Sequence, residues 1–268
     1  MKKFLIIAAI TIALTGCDDK IEKPGQITLT TTATGEYKLY ITGTGSAIID
    51  WGDSNRDIVT LSLPTDPNFF GDNYFTHNYA SANAKTIKVI GNILSLSTGC
   101  TGEVTALDVS KMPALEVLMC LCEKLTSLDV GKNTALTYLS CLNNNLDSLD
   151  VSKNTALTIL WCGGNNLTKL DVSKNTALIW LICSKNNLTT LTLGTHNALE
   201  LLDCNNNNLS KQSLVDIFKK LPMRIPTDNA RIHCGGCDNP NPGFWQLTDY
   251  DIKIAEDKKW KVESCNAD

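Results

Sequence analysis

Strong charge of one sign is missing from this chain. Its 268 residues carry a net charge of −4, and charged residues make up only 19%. That balance excludes a globally basic nucleic-acid binder and a highly charged disordered chain. Aromatic residues are scarce at 6% while hydrophobic residues reach 43%, so a large core must be mostly aliphatic. No apolar run is long enough to cross a bilayer as a helix, which needs about 18 residues or more. Chemistry-bearing motifs are missing too. There is no nucleophile elbow, no HExxH, no phosphate loop and no pair of catalytic carboxylates in a repeat loop. The reading is therefore a protein that is not an enzyme and uses no cofactor. What the chain has in excess is cysteine, at 11 residues. Such a count suggests a disulfide framework in a secreted protein and metal sites in a cytosolic one.

The start of the chain bears on the compartment. Lys2 and Lys3 precede the apolar run Phe4 to Leu14, followed by Thr15, Gly16 and Cys17. Residues 1–16 read as a secretory signal peptide. Leu14-Thr15-Gly16-Cys17 resembles the bacterial lipobox, which implies cleavage before Cys17 and lipidation of its thiol and amino group. Several acyl chains then hold the protein on a membrane, because one chain binds only marginally. The alternative is an ordinary secreted protein with an incidental cysteine. Residues 17–25 become a linker, and its Asp18-Asp19-Lys20 is similar to the tag that places some Bacteroides-type lipoproteins on the outer surface. The same acidic pair also fits retention elsewhere in the envelope. The expected location is the cell envelope, at a surface-exposed site on the outer membrane.

A repeat fills the middle. Leu107, Leu128, Leu149, Leu170 and Leu191 each open a unit of 21 residues, so that five units occupy 107–211 without a gap. Such regularity predicts a solenoid, each coil burying its apolar edge against the next. Within a coil, Leu136-x-x-Leu139-x-Cys141-x-x-Asn144-x-Leu146 matches the leucine-rich-repeat pattern. The chain resembles the short-repeat, internalin-like leucine-rich-repeat surface lipoproteins of Bacteroides-type bacteria. That resemblance implies a short strand around Leu139 and Cys141 in a parallel sheet, with neighbours about 4.8 Å apart. Leu149 and Val151 should pack the opposite wall, where a coil this short has no room for a full helix.

Asn144, Asn165, Asn186 and Asn207 fall where the chain turns away from each strand, and the first unit has Glu123 instead. An asparagine amide offers both donor and acceptor to the backbone of neighbouring coils. The sequons at Asn166, Asn187 and Asn208 then read as by-products of the repeat. Cys120, Cys141, Cys162, Cys183 and Cys204 share one interior column, which Cys234 continues beyond an irregular insertion. Free cysteine behaves as a small buried hydrophobe, so packed thiols are favoured, although neighbouring members are near enough for bridges. Outside the column stand Cys100, Cys122, Cys237 and Cys265. If the segment before the first repeat stacks as one more coil, Cys100 and Cys122 lie on neighbouring strand ends and can bridge. Cys237 and Cys265 are the corresponding candidate disulfide of the far cap. Cys234-Gly235-Gly236-Cys237 also has the spacing of half a zinc site or a redox motif. Its loop-like surroundings disfavour both, and no metal site is assigned.

The ends read as caps. Residues 26–99 cluster β-formers between Gly, Asn, Asp and Pro. Ile49-Asp50-Trp51-Gly52-Asp53, then Thr76-His77-Asn78-Tyr79 and the strand Thr86 to Ile90, resemble PKD-like β-sandwich modules, with Ser54 in place of the second glycine. Asp50, Asp53 and His77 can be drawn as a metal or acid–base cluster, but turn and corner roles fit better. At the far end, residues 212–268 offer a helix over Ser213 to Leu221 with Ser210 as N-cap, and a strand at Ile232 to Cys234. A second helical segment follows at Tyr250 to Glu256, and Trp260 and Val262 close the end. The expected fold is mainly β with little helix. It comprises a small β-sandwich-like module, a leucine-rich-repeat solenoid over 100–211 with a parallel sheet, and a mixed helix/strand cap.

Alternation along each strand turns Leu139 and Cys141 inward and their neighbours outward. Tyr138, Ile159, Trp161, Trp180 and Ile182 then form an apolar patch on the outward face, of the kind that marks an interaction site. The alternative is that the patch is ordinary sheet surface or is covered by the chain itself. A protein-binding or adhesion role through this face is the leading reading. A glycan-binding lipoprotein, with Trp161 and Trp180 stacking on sugar rings, is the second.

Overall fold

The computed structural model describes residues 24–63, 73–235 and 241–263. The signal segment, Cys17, Cys237 and Cys265 lie outside the described residues.

The N-terminal module contains β1 (Gly25–Thr31), β2 (Gly35–Asp50), β3 (Arg56–Thr60), β4 (Tyr74–Tyr79), β5 (Lys85–Ser97) and β6 (Val104–Asp108). All pair antiparallel, with β1 between β5 and β6. The first part of β2 pairs with β4, its last part with β3, and β5 runs beside it across two register shifts. Gly43 stands at one of these shifts, where a Cβ would collide with the Asn92 carbonyl oxygen. Alternate residues Ile27 and Leu29, Tyr37, Leu39 and Ile41, Ile87 and Val89 are buried in one core, the period-2 pattern of half-buried strands.

The module's corner is built around Trp51. The Tyr79 hydroxyl donates to the Trp51 carbonyl at 2.7 Å, and the Trp51 indole N–H donates to Asp57 at 2.6 Å. The His77 ring stacks on Trp51 at 5.1 Å and reaches Asp53 at 2.6 Å. Asp50 accepts from the Gly52 backbone and pairs with Arg56. These carboxylates therefore brace the turn.

The solenoid sheet grows directly from this module. Ser95–Ser97 at the end of β5 pair in parallel with β7 (Val117–Met119). The same sheet continues through β8 (Tyr138–Ser140) and β9 (Ile159–Trp161). On the opposite wall, β10 (Lys169–Asp171) precedes the sheet strand β11 (Trp180–Ile182), and β10 pairs in parallel with β12 (Thr190–Thr192). β13 (Leu201–Asp203) completes the regular coils. Helix α1 (Lys211–Lys220) follows, its first turn held by the Ser210 hydroxyl, which accepts from the Ser213 N–H at 3.1 Å. β14 (Arg231–His233) resumes the sheet, α2 (Asp249–Glu256) packs on α1, and β15 (Lys261–Glu263) forms the last rung. Buried Trp260 donates its indole N–H to the Pro222 carbonyl at 2.9 Å and locks the cap.

Inside the coils, the six cysteines of the column are fully buried free thiols. Burial pushes them above the ordinary thiol range, Cys141 and Cys234 up to about 12. Cys100 and Cys122 form a disulfide, with 5.0 Å between their Cα atoms. Each turn after a strand passes through the left-handed region at Cys122, Asn143, Gly164, Lys185 and Asn206, with φ between 51° and 66°. Glycine takes that conformation freely, while the other four residues are strained by their Cβ.

Two amide ladders satisfy the buried turns. Asn165 accepts from the Leu146 N–H at 3.0 Å and donates to the carbonyls of Cys141 and Cys162. Asn144, Asn186 and Asn207 repeat the arrangement, and Asn241 supplies one more rung after the insertion, bonding Leu209, Cys204 and Cys234. A second ladder runs along the other wall. Asn133, Asn154 and Asn175 each donate to two carbonyls of the preceding coil, and buried His196 takes the next place.

Glu123 differs from the asparagines for a visible reason. Its carboxylate accepts from the Thr98 hydroxyl and the backbone N–H groups of Glu103 and Val104, each at 2.9 Å, with the Thr101 hydroxyl farther off. Both oxygens accept at once, and hydrogen bonds to a charged acceptor are stronger than those to a neutral amide.

Candidate binding face

Strand pairing places the outward side chains in two ranks. The first runs Ser95, Val117, Tyr138, Ile159, Trp180, Leu201, Arg231 and Lys261. The second runs Ser97, Met119, Ser140, Trp161, Ile182, Asp203, His233 and Glu263. The residues between them, Leu118, Leu139, Leu160, Leu181, Leu202 and Ile232, are fully buried in the coil interior. The sheet strands β7, β8, β9, β11, β13 and β14 contact only their sheet neighbours among the strands and helices.

The five residues singled out from sequence do fall next to one another on this face. Their exposure is uneven. Trp180 stands out at 40% exposed, and Ile159, Trp161 and Ile182 are half-buried. Tyr138 departs from the expected open position. It is only 8% exposed because the Trp161 ring lies edge-on against it at 5.4 Å. The same packing buries the Trp161 indole nitrogen, which finds no acceptor among the described residues. Burial also pushes the Tyr138 hydroxyl up to about 12. The accessible apolar surface is therefore centred on Trp180, with Tyr138 acting as the floor beneath Trp161.

Towards β15 the face changes character. A concave pocket of about 540 Å³ opens beside Trp180 and Ile182 and is lined by charged residues of β13, β14 and β15. Asp203 lies at its base, buried, accepting from the Ser184 hydroxyl at 2.9 Å and the Asn205 N–H at 3.2 Å. Desolvation by burial raises its pKa, against these two hydrogen bonds. Glu263 pairs with Lys261, which holds its pKa below the usual carboxylate range, and lies 3.3 Å from His233 Nδ1. Arg224 reaches Glu200 at 3.0 Å and Asp228 at 2.9 Å. Arg231 is exposed and makes no side-chain hydrogen bond or ion pair among the described residues.

The charged residues that β14 and β15 bring to this end were not singled out from sequence. The signal was alternation: in Arg231-Ile232-His233 and Lys261-Val262-Glu263 an apolar centre is flanked by outward polar residues. The insertion between Cys204 and Cys234 hides the period there, so these triplets do not register by counting 21 residues.

No family model matches the chain, and no curated protein matches it. Among solved structures, it is similar to the functional domain of InlJ from Listeria monocytogenes, which includes a cysteine ladder. Identity is 23% over 66% of this chain and 59% of that one, with a TM-score of 0.32. It is also similar to the leucine-rich repeat domain of APL1B, with 20% identity over 48% of this chain, 52% of that one, and a TM-score of 0.34. The chain thus spans less than two thirds of the length of either.

Proposed function

We propose that this protein is a cell-envelope lipoprotein that binds a protein partner through the outward face of its repeat sheet. The observation that carries the reading is the row Ile159, Trp161, Trp180 and Ile182, half-buried or exposed on a sheet that no other strand or helix covers. An uncovered sheet surface has no folding reason to carry two tryptophans. Large apolar side chains in such a place favour association by excluding water, and tryptophan is enriched among residues that dominate protein interfaces. Lipidation at Cys17 would tether the body to a membrane, and the adhesion role follows from presenting the face outward from that anchor.

The test uses the full chain and its double variant Trp161→Ala/Trp180→Ala, with proximity crosslinking to identify captured proteins. The expected outcome is a partner crosslinked to β9 or β11 in the wild type and absent with the variant, both folded by circular dichroism. Recovery of the same partners by both chains would reject the sheet-face reading. Anchoring is tested separately by metabolic labelling with an alkyne fatty acid, which Cys17→Ala should abolish.

A further inference from the structure

The pocket at the far end of the sheet face has its own chemistry, distinct from the apolar row beside it. Its carboxylates are already held: Glu200 and Asp228 by Arg224, Glu263 by Lys261, and Asp203 by Ser184 and the Asn205 backbone. A carboxylate has about four lone-pair sites, so each retains acceptor capacity towards the pocket. The guanidinium of Arg231 stands between Leu201 and Lys261 in the same rank, with its donors unused among the described residues. Trp180 forms the wall, 40% exposed.

Charge decides the ligand class. Four carboxylates and two cations line the pocket, with Arg224 bound behind two of the carboxylates. Both signs are present in one cavity, Arg231 and Lys261 in the first rank and Asp203 and Glu263 in the second, so no field of one polarity covers it. An anion drawn to Arg231 meets Asp203 and Glu263 nearby, and a cation drawn to those carboxylates meets Arg231 and Lys261. Hydroxyl groups avoid the conflict because each both donates and accepts. A ring with hydroxyls at its edge and C–H groups on its face can lie on the Trp180 indole, burying apolar surface, while its edge reaches the carboxylates and Arg231. The volume is within the range of small-ligand pockets, about 300–1,000 Å³.

We infer that the pocket between β11 and β15 binds a neutral oligosaccharide, with Trp180 as the stacking platform, the buried Asp203 and its neighbouring carboxylates as acceptors, and Arg231 as the free donor. The site excludes Trp161, which does not line it. It shares Trp180 and Ile182 with the apolar row, while Arg231 belongs to the pocket alone and separates sugar binding from protein docking.

The experiment titrates the full chain with neutral oligosaccharides (gluco-, manno-, galacto- and xylo-series) to the solubility limit of each. Indole fluorescence and isothermal calorimetry are the readouts. Uronic-acid oligosaccharides and a short basic peptide serve as charged arms. At least one neutral series should bind with a change in indole emission. Trp180→Ala should weaken it about tenfold or more, as expected for loss of an aromatic contact, while Trp180→Tyr retains most of it. Arg231→Ala, an exposed position, should weaken it about tenfold by removing charged hydrogen-bond donors. Met119→Ala, on the same face but outside both the apolar row and the pocket, should leave sugar binding unchanged. Failure of every neutral series, preference for a charged arm, or binding indifferent to Trp180→Ala and Arg231→Ala would overturn the inference. Protein capture by the Arg231→Ala chain reports on the docking reading separately.

Discussion

On one strand the inner and outer residues obey different rules. Inward, the coils after the first repeat leucine and cysteine, with asparagine at the turn: Leu139, Cys141, Asn144, then Leu160, Cys162, Asn165, then Leu181, Cys183, Asn186. Outward, the same strands carry Tyr138, Ile159 and Trp180, then Leu201, Arg231 and Lys261. The interior repeats because each coil has the same backbone groups to satisfy and the same gap to fill, whatever its position. The outer face meets no such demand from folding, so its variation reflects what touches it. Stability belongs to the repeated half of each strand and recognition to the variable half.

The sharpest way to break this comparison is to remove an inner rung. Asn165→Ala leaves the buried Leu146 N–H unpaired and removes one of the two amide donors from each of the Cys141 and Cys162 carbonyls, and should cost about 2–3 kcal/mol in urea unfolding. Asn186→Ala should cost a similar amount, because its rung is the same. A large difference between the two would show that the coils are not equivalent inside. Glu123→Gln comes next, replacing a charged acceptor by a neutral amide at the start of the ladder. A loss of about 1–3 kcal/mol is expected, whereas no loss would mean the amide fits as well as the carboxylate.

His196 gives a smaller and pH-dependent effect. Burial holds its pKa below the usual histidine value, and its Nε2 accepts from the Gly194 N–H at 3.1 Å, a role only the unprotonated nitrogen can fill. The unfolded chain takes up this proton at about pH 6.5, before the folded one does. The stability contribution is therefore full above that pH and is lost as pH falls below it towards the folded value. The difference in unfolding free energy between wild type and His196→Asn should vary with pH in this window. A constant difference would contradict the assignment. Thiol labelling sharpens the same contrast. The six column cysteines should resist maleimide in the native state and react after denaturation.

Much of this organisation was legible because the coil length is constant. The unbroken period located the cysteine column, the first asparagine ladder and the inward leucines, and Ser210 with its following apolar residues located α1. Asn133, Asn154 and Asn175 were equally periodic, but their role depends on carbonyls one coil away, contacts that a sequence written as a line does not display. Asn241 was hidden because the insertion separates it from Asn207 by more than one period, although the fold restores it to the same ladder. Tyr138 was misjudged for another reason. Alternation tells which side of the sheet a residue occupies, but not that a larger neighbour such as Trp161 covers it. The charged pocket needed β15 to pair beside β14; the strand at Ile232 to Cys234 was read, but not that Lys261–Glu263 adds a further rung to it.

The division between an inner scaffold and an outer recognition face is tested most directly at Trp180, by measuring unfolding and partner capture on one variant. Trp180→Glu should leave the unfolding free energy within about 0.5 kcal/mol of wild type, as for a surface substitution, and should abolish capture of the protein partner. Capture that persists unchanged on a folded Trp180→Glu chain would contradict the account.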